Sequence, residues 1–324
     1  MKTTLTAAGI VALTLATTGC GTPVHDDTAA SPNVISIENC GRTLEFDTVP
    51  IRAIGLSPSQ TELLVELGVA DRLVGQAQTG LSDLPDDVVT RLGDVPVLST
   101  DAPPVREVLL DAAPDFVFAP TEYEFTAQQG FASIDQLRQA GATAFIATGG
   151  CSDRRTTATV DDLFTDLTAL GAVFDRADRA TELVTQGQRR LDAVDAGIGS
   201  GPVRSVAQVY VEGSSLSVIG AGVESDIIAR AGGRNVFSPD EKMFGSFFTA
   251  TISPEELARR NPDALVFAVS DAAHRDATID YLRTTFPTMT AVHTNRLIAV
   301  PASNMFPGTL GNIDAVETVA HGLA

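Results

Sequence analysis

Residues Asp175 to Gly197, DRADRATELVTQGQRRLDAVDAG, read as a single long helix. Asp175 is the expected N-cap, Asp178 falls in the first turn where a carboxylate favours the positive helix end, and Gly197 suits a left-handed C-cap. Ala180, Leu183, Val184, Leu191 and Val194 form one apolar stripe, while Arg176, Arg179, Glu182, Arg189 and Arg190 fall outside it. At about 1.5 Å per residue, positions 176–196 span roughly 31 Å, close to the diameter of a small domain. A helix of that length can tie two lobes together. Gly187 near its middle costs about 1 kcal/mol against alanine, and marks either close packing or a point of flexure.

On the amino-terminal side, Val34–Ile37 and Thr43–Phe46 read as a hairpin turned at Gly41. Ile51–Leu56 reads as a buried strand running into Ser57-Pro58-Ser59-Gln60-Thr61-Glu62, where Ser59 and Glu62 have the spacing of a capping box. Strand passing directly into helix marks an α/β unit. Further helices are expected over Val105–Ala112, around Ile134, Leu137 and Ala140, and over Thr159–Leu170, with strands at Phe116–Ala119 and Thr143–Ala147.

Beyond the linker-like Gly199-Ser200-Gly201-Pro202 the pattern restarts. Strands are expected over Val203–Val211, Ser215–Ile219 and Ala264–Val269. Helices are expected over Glu224–Ala231, stopped by Gly232-Gly233, and from Ser253-Pro254-Glu255-Glu256 to Arg260. Ala113-Pro114-Asp115-Phe116-Val117-Phe118-Ala119 is matched by Asn261-Pro262-Asp263-Ala264-Leu265-Val266-Phe267-Ala268, 148 positions later, each copy preceded by a helix. The same helix-turn-strand on both sides of a long helix indicates duplicated architecture.

With 324 residues, of which 44% are hydrophobic, the chain can bury two cores. A net charge of −19, from 41 acidic against 22 basic residues, argues against nucleic acid or anionic lipid as an electrostatic partner. Lys2, the apolar run Leu5–Ala16 and Gly19-Cys20 form an export signal that is too short to span a bilayer. Gly21–Pro32 is small and polar, suited to a flexible tether. Cys40 and Cys151 remain as an even pair in an exported protein and are expected to form a disulfide, two buried thiols being the alternative. A metal site is disfavoured: His25, His274, His293 and His321 lie in no cluster with ligand spacing. His274 and His293 read as surface or turn residues.

The segments IRAIGLSPSQTELLVELGVADRLVG, ESDIIARAGGRNVF and SPEEL, the two helix-Pro-Asp-strand segments and the closing NRLIAVPASNMFPGTLGNIDAVETVAHGL together resemble the periplasmic-binding (class III solute-binding) lipoprotein family of iron-siderophore and cobalamin importers. The resemblance covers residues 34–324. The NCGR around Cys40 and the GGC at Cys151 resemble an actinobacterial branch that carries a disulfide there. The resemblance implies two Rossmann-like α/β lobes with parallel sheets bridged by one long helix, here residues 34–174, 175–197 and 198–324. It also implies a lipoprotein signal at 1–19 and a tether at 20–33, with Cys20 lipidated although Thr17 departs from the usual aliphatic residue. The implied role is a monomeric extracytoplasmic binding protein, not an enzyme. It captures a bulky ligand, a ferric siderophore first, and delivers it to an ABC permease and its ATPase. Cobalamin, haem or a deazaflavin-type precursor are the alternative ligands. No cofactor or resident metal is expected, any Fe3+ travelling inside the ligand.

The family places an outward acid where Glu62 stands and often a second in the helix before Gly-Gly. Here that second position is Ala229, leaving Glu224 or Asp226 as the permease-docking candidates of the second lobe. Ligand contacts are expected in loops after strand ends. The first lobe offers Ser57, Ser59, Tyr123, Glu124 and Phe125. The second offers Ser214, Ser215, Met243, Phe244, Phe247, Asn304, Met305 and Phe306. Aromatic and Met side chains outside periodic elements provide apolar surface for a chelate or macrocycle, and Tyr123 or Tyr210 would serve a haem. Gly220-Ala221-Gly222 has the start of a dinucleotide loop, but Ser225 stands where its third glycine belongs. An extracytoplasmic enzyme would need a convergent acid/base pair in the cleft, and a sensor lipoprotein would lack a permease; these are the alternatives of another class.

Overall fold

The computed structural model describes residues 34–199, 202–213 and 215–324. The export signal 1–19, Cys20, the tether 20–33, the linker residues Ser200 and Gly201, and Ser214 lie outside the described residues.

The chain enters as an antiparallel hairpin of β1 (Ile35–Asn39) and β2 (Arg42–Phe46), with Cys40 and Gly41 turning it at positive φ. The first lobe then alternates strand and helix: β3 (Ala53–Gly55), α1 (Pro58–Glu66), β4 (Leu73–Gln76), α2 (Asp86–Leu92), α3 (Arg106–Asp111), β5 (Phe116–Ala119), α4 (Ile134–Gln139), β6 (Thr143–Ile146) and α5 (Asp162–Val173). Its strands run parallel in the order β4-β3-β5-β6. All four residues of β5 are buried, as a parallel strand covered on both faces requires.

After the long helix α6 (Ala177–Gly197) come β7 (Ser205–Glu212), β8 (Ser215–Ile219), α7 (Val223–Arg230), β9 (Arg234–Asn235), β10 (Thr249–Thr251), α8 (Pro254–Arg260), β11 (Ala264–Val269), α9 (Ala272–Thr285), α10 (Thr290–His293), β12 (Leu297–Pro301) and α11 (Gly311–Leu323). The second sheet has the order β10-β8-β7-β11-β12, with β9 also paired to β7. Its core β7, β9, β11 and β12 is parallel, and the β8 and β10 pairings are antiparallel, so this sheet is mixed where an all-parallel one is expected.

The sequence repeat is a repeated structural device. Ala113 and Asn261, 148 positions apart, both turn the chain at positive φ, 45° and 43°. The aspartate that follows each Pro then clamps the start of the neighbouring strand. Asp115 accepts from the amides of Ile51 and Arg52 at 2.8 and 2.9 Å, and Asp263 accepts from the amide and hydroxyl of Ser205 at 2.8 and 2.7 Å. The Ser205 donors hold the Asp263 carboxyl below the usual carboxylate range.

The long helix begins one residue later than expected. Asp175 sits at φ 56° in the turn from α5, and the N-cap position falls to Arg176, whose side chain caps no helix amide and donates instead to the carbonyls of Gly68 and Asp175. Gly197 stays helical and the helix ends at extended Ile198 instead of a left-handed glycine. Gly187 is a packing site. A Cβ there would lie 2.7 Å from Phe164 of α5 and 2.7 Å from Ile313 of α11, so the helix is wedged between them at its middle. Arg190 then pairs with Asp314 and Glu317 of α11, both at 2.5 Å.

In α1 the expected capping box is displaced. Pro58 occupies the first helical turn with Ser57 before it, which moves Ser59 and Glu62 inside the helix. Ser59 instead meets the Ser57 hydroxyl at 3.0 Å and Gln60 at 2.9 Å. Gln60 donates to the carbonyls of Pro307 and Gly308 at 3.1 and 3.3 Å, joining the start of the first lobe to the end of the second. The Cys40–Cys151 disulfide bridges 111 positions and fastens the entry hairpin to the loop that carries Arg155. Closing so long a loop is worth up to about 4–5 kcal/mol by chain entropy.

Candidate functional site

Two chambers with shared walls lie between the lobes. The outer, about 520 Å³, is bounded by the loop after β5 (Thr121, Tyr123, Glu124), by Ser152 and Arg155 beyond the disulfide, and by Phe247, Phe248 and Phe306. The inner, about 340 Å³, has Gln208 and Tyr210 of β7, Glu224 of α7 and His274 of α9 in its wall, together with Met305 and Phe306 from the segment after β12. Leu81, Arg155, Phe248 and Phe306 belong to both. These walls gather at the carboxyl ends of the parallel strands, where open α/β sheets place their ligands.

Side-chain bonds lock the first-lobe loops. Glu124, 6% exposed, accepts from the Thr121 hydroxyl at 2.7 Å and amide at 3.2 Å, and burial pushes its carboxyl up. Glu122 accepts from the hydroxyl and amide of Ser152 at 2.7 and 3.2 Å. Arg155 forms a buried bidentate pair with Glu224 at 2.9 and 2.5 Å, and its guanidinium lies 3.5 Å from the centre of the Phe248 ring. Gly222 permits that pair: at φ 77° a Cβ would come within 2.5 Å of the guanidinium.

His274 is held at both ring nitrogens. The Ser270 amide donates to Nδ1 at 3.2 Å, so Nε2 carries the hydrogen toward the Val211 carbonyl at 3.1 Å. Gln208 is different. It is fully buried in the middle of β7, in register with Val266 on one side and Ile219 on the other. Neither its Oε1 nor its Nε2 meets a partner among the described residues. Leaving a buried polar group unsatisfied costs about 1–3 kcal/mol.

Of the residues expected to contact ligand, Tyr123, Glu124, Phe247, Met305 and Phe306 line these chambers. Ser57 and Ser59 are buried in the seam between the lobes. Phe125 fills the first-lobe core, and Phe244 is 1% exposed against Phe237, with its ring over Gly220. Ser215 opens β8 at the hairpin end, Met243 is exposed, and Asn304 packs against Gly311; none of the three lines a chamber. Glu224 faces the inner chamber, not the outer surface, because Arg155 holds it there. Asp226 spends its carboxylate on the Val160 amide and on Arg230, at 2.8 and 2.9 Å. Gln78, Leu81, Arg155 and Gln208 are chamber residues the sequence pattern did not single out, and His274, expected at a surface or turn, is another.

Glu62 faces none of these chambers. It is half-buried on α1, with Glu66, Asp87 and Asp314 around it and no ion-pair partner among the described residues. Desolvation first, then repulsion from those carboxylates, pushes its carboxyl up to about 7.

Two α/β lobes, a long connecting helix and a cleft at the strand ends define a solute-binding protein. A profile described as Periplasmic binding protein matches residues 54–303, and the chain belongs to that family. Membership implies an extracytoplasmic location. The chain is 27% identical over 289 residues to a protein named cobalamin-binding protein from Halobacterium salinarum, covering 86% of this chain and 71% of the relative. A periplasmic binding protein from Veillonella parvula superposes with a TM-score of 0.78 at 22% identity, over 90% of this chain and 97% of that one. A structure from Saccharomonospora viridis, described as an ABC-type Fe3+-hydroxamate transport system, gives 0.73 at 23% identity, over 89% and 98%. These structural likenesses are in fold.

Proposed function

We propose that the chain is the substrate-binding component of an ABC importer and that it captures a bulky ligand bearing no net negative charge, a ferric hydroxamate siderophore standing first. The observation that carries this is the charge of the cleft. Among its described lining residues one cation, Arg155, faces three carboxyl groups, Glu122, Glu124 and Glu224, and Arg155 is already paired. Three hydroxamates balance Fe3+ and leave a neutral complex, whereas three catecholates leave it trianionic and haem brings two propionates. Like-charge placement in a desolvated cleft costs several kcal/mol. A corrinoid is the second reading, favoured by the cobalamin-binding relative, and it is likewise bulky and amide-rich. Phe247, Phe248, Phe306 and Met305 supply the apolar surface for either.

Delivery needs a docking contact. Glu62, a half-buried carboxylate without an ion-pair partner among the described residues, is complementary to an arginine of the permease. Lipidation at Cys20 would hold the protein at the outer face of the cell membrane, next to that permease. Calorimetric titration with cyanocobalamin and with ferrichrome, a neutral ferric trihydroxamate, tests the ligand class. Micromolar or tighter binding of one is expected, and failure of both removes it.

A further inference from the structure

One fully buried polar side chain in the wall of the inner chamber has no hydrogen-bond partner among the described residues. It is that of Gln208, and the lack holds at both ends of its amide. Other polar groups of the wall are already engaged, Arg155 with Glu224, both His274 ring nitrogens with Ser270 and Val211, and the Thr249 hydroxyl with the Val218 carbonyl, while the Tyr210 side chain is partly exposed. Apolar Ile219, Phe248 and Met305 complete the wall, and a hydrogen bond formed among such groups is strengthened by the low local dielectric.

We propose that Gln208 is an amide-recognition residue: its carboxamide pairs reciprocally, N–H to carbonyl and carbonyl to N–H, with an amide of the bound ligand. An amide is the neutral group that satisfies both ends at once. A carboxylate would leave Oε1 facing another acceptor, and an ammonium would leave Nε2 unmatched. This inference rests on the cleft being the ligand site, and it names the group read there. The amide is either a peripheral carboxamide of a corrinoid or a peptide amide of a hydroxamate siderophore, and the two probes separate those sources.

The test replaces Gln208→Met, with Gln208→Leu as a second apolar variant of similar volume, and titrates each with cyanocobalamin and with ferrichrome. Whichever probe binds the wild type is expected to bind the variants at least about tenfold more weakly, the loss of two neutral hydrogen bonds. The melting temperature of the ligand-free variants is expected to rise, because an unsatisfied buried amide has been removed. That combination is the signature of a residue kept for binding. Unchanged affinity in a folded variant overturns the role of Gln208 and leaves the ligand class standing. A fall in ligand-free melting temperature with unchanged affinity also overturns it, by making Gln208 structural. Absence of binding by either probe to the wild type removes both.

Discussion

Helix α1 of the first lobe and helix α7 of the second each follow a strand and each carry a glutamate, Glu62 and Glu224, yet the two carboxylates meet opposite surroundings. Glu224 is buried and clasped by Arg155 across the seam between the lobes. Glu62 is half-buried among other acids, and the nearest guanidinium, Arg91, is taken by Glu66 and Asp87. The first carboxylate is satisfied within the fold and therefore holds the cleft in shape. The second is left with a desolvation and repulsion cost that no ion pair among the described residues offsets, which is what a contact reserved for a partner requires. Glu224, which the family resemblance offers as a docking acid, therefore lies inside.

Breaking the Glu224 side should have the larger effect. Glu224→Ala strands the Arg155 guanidinium in a buried site and should cost about 3–5 kcal/mol in chemical denaturation. The Arg155→Met/Glu224→Leu double variant should recover most of that loss. If the single substitution costs no more than a surface change, the pair is not a seam contact. The Glu62 side is smaller and has a pH signature. An acid whose folded-state pKa is raised binds its proton more tightly in the native state than when unfolded. Stability therefore falls as pH rises from about 4.5 to about 7, and is regained on acidification through that window. Asp166, fully buried in α5, is pushed up to about 7 by desolvation and should add to the same slope, each group contributing at most about 1.4 kcal/mol per pH unit. The acids held below their usual range, such as Glu241 and Glu317, oppose this only below about pH 4.5. Glu62→Gln should raise the melting temperature at pH 8, flatten the slope by one group, leave ligand affinity unchanged and slow permease-dependent uptake. An unchanged slope, or unimpaired uptake, would sever Glu62 from the docking role.

How much of this was legible in the sequence differs between scaffold and cleft. The stripe of α6 and the duplicated Pro-Asp segments carry periodicity and offset, so the connecting helix and the repeated unit could be read directly. The cap of α1 could not be placed from spacing: Ser57 and Ser59 both precede helix formers, and Pro58 decides between them by fitting the first turn. Phe125 and Phe244 stand in short irregular segments, which makes them look available, but tertiary packing against Phe237 and Gly220 claims Phe244. Arg155 sits in a loop with no pattern and becomes a cleft residue through the disulfide and the sheet order. Gln208 did leave a signal, a lone amide inside the apolar strand Val206-Ala207-Gln208-Val209, and a buried polar residue there is the kind of exception that marks a site.

A cleft whose one lining cation among the described residues is already paired should take a ligand without net negative charge. The most direct test is a calorimetric competition at low ionic strength between the tighter-binding neutral probe, cyanocobalamin or ferrichrome, and a trianionic ferric triscatecholate. The triscatecholate is expected to bind at least about a hundredfold more weakly. Equal affinity, or a preference for the trianion, would contradict it.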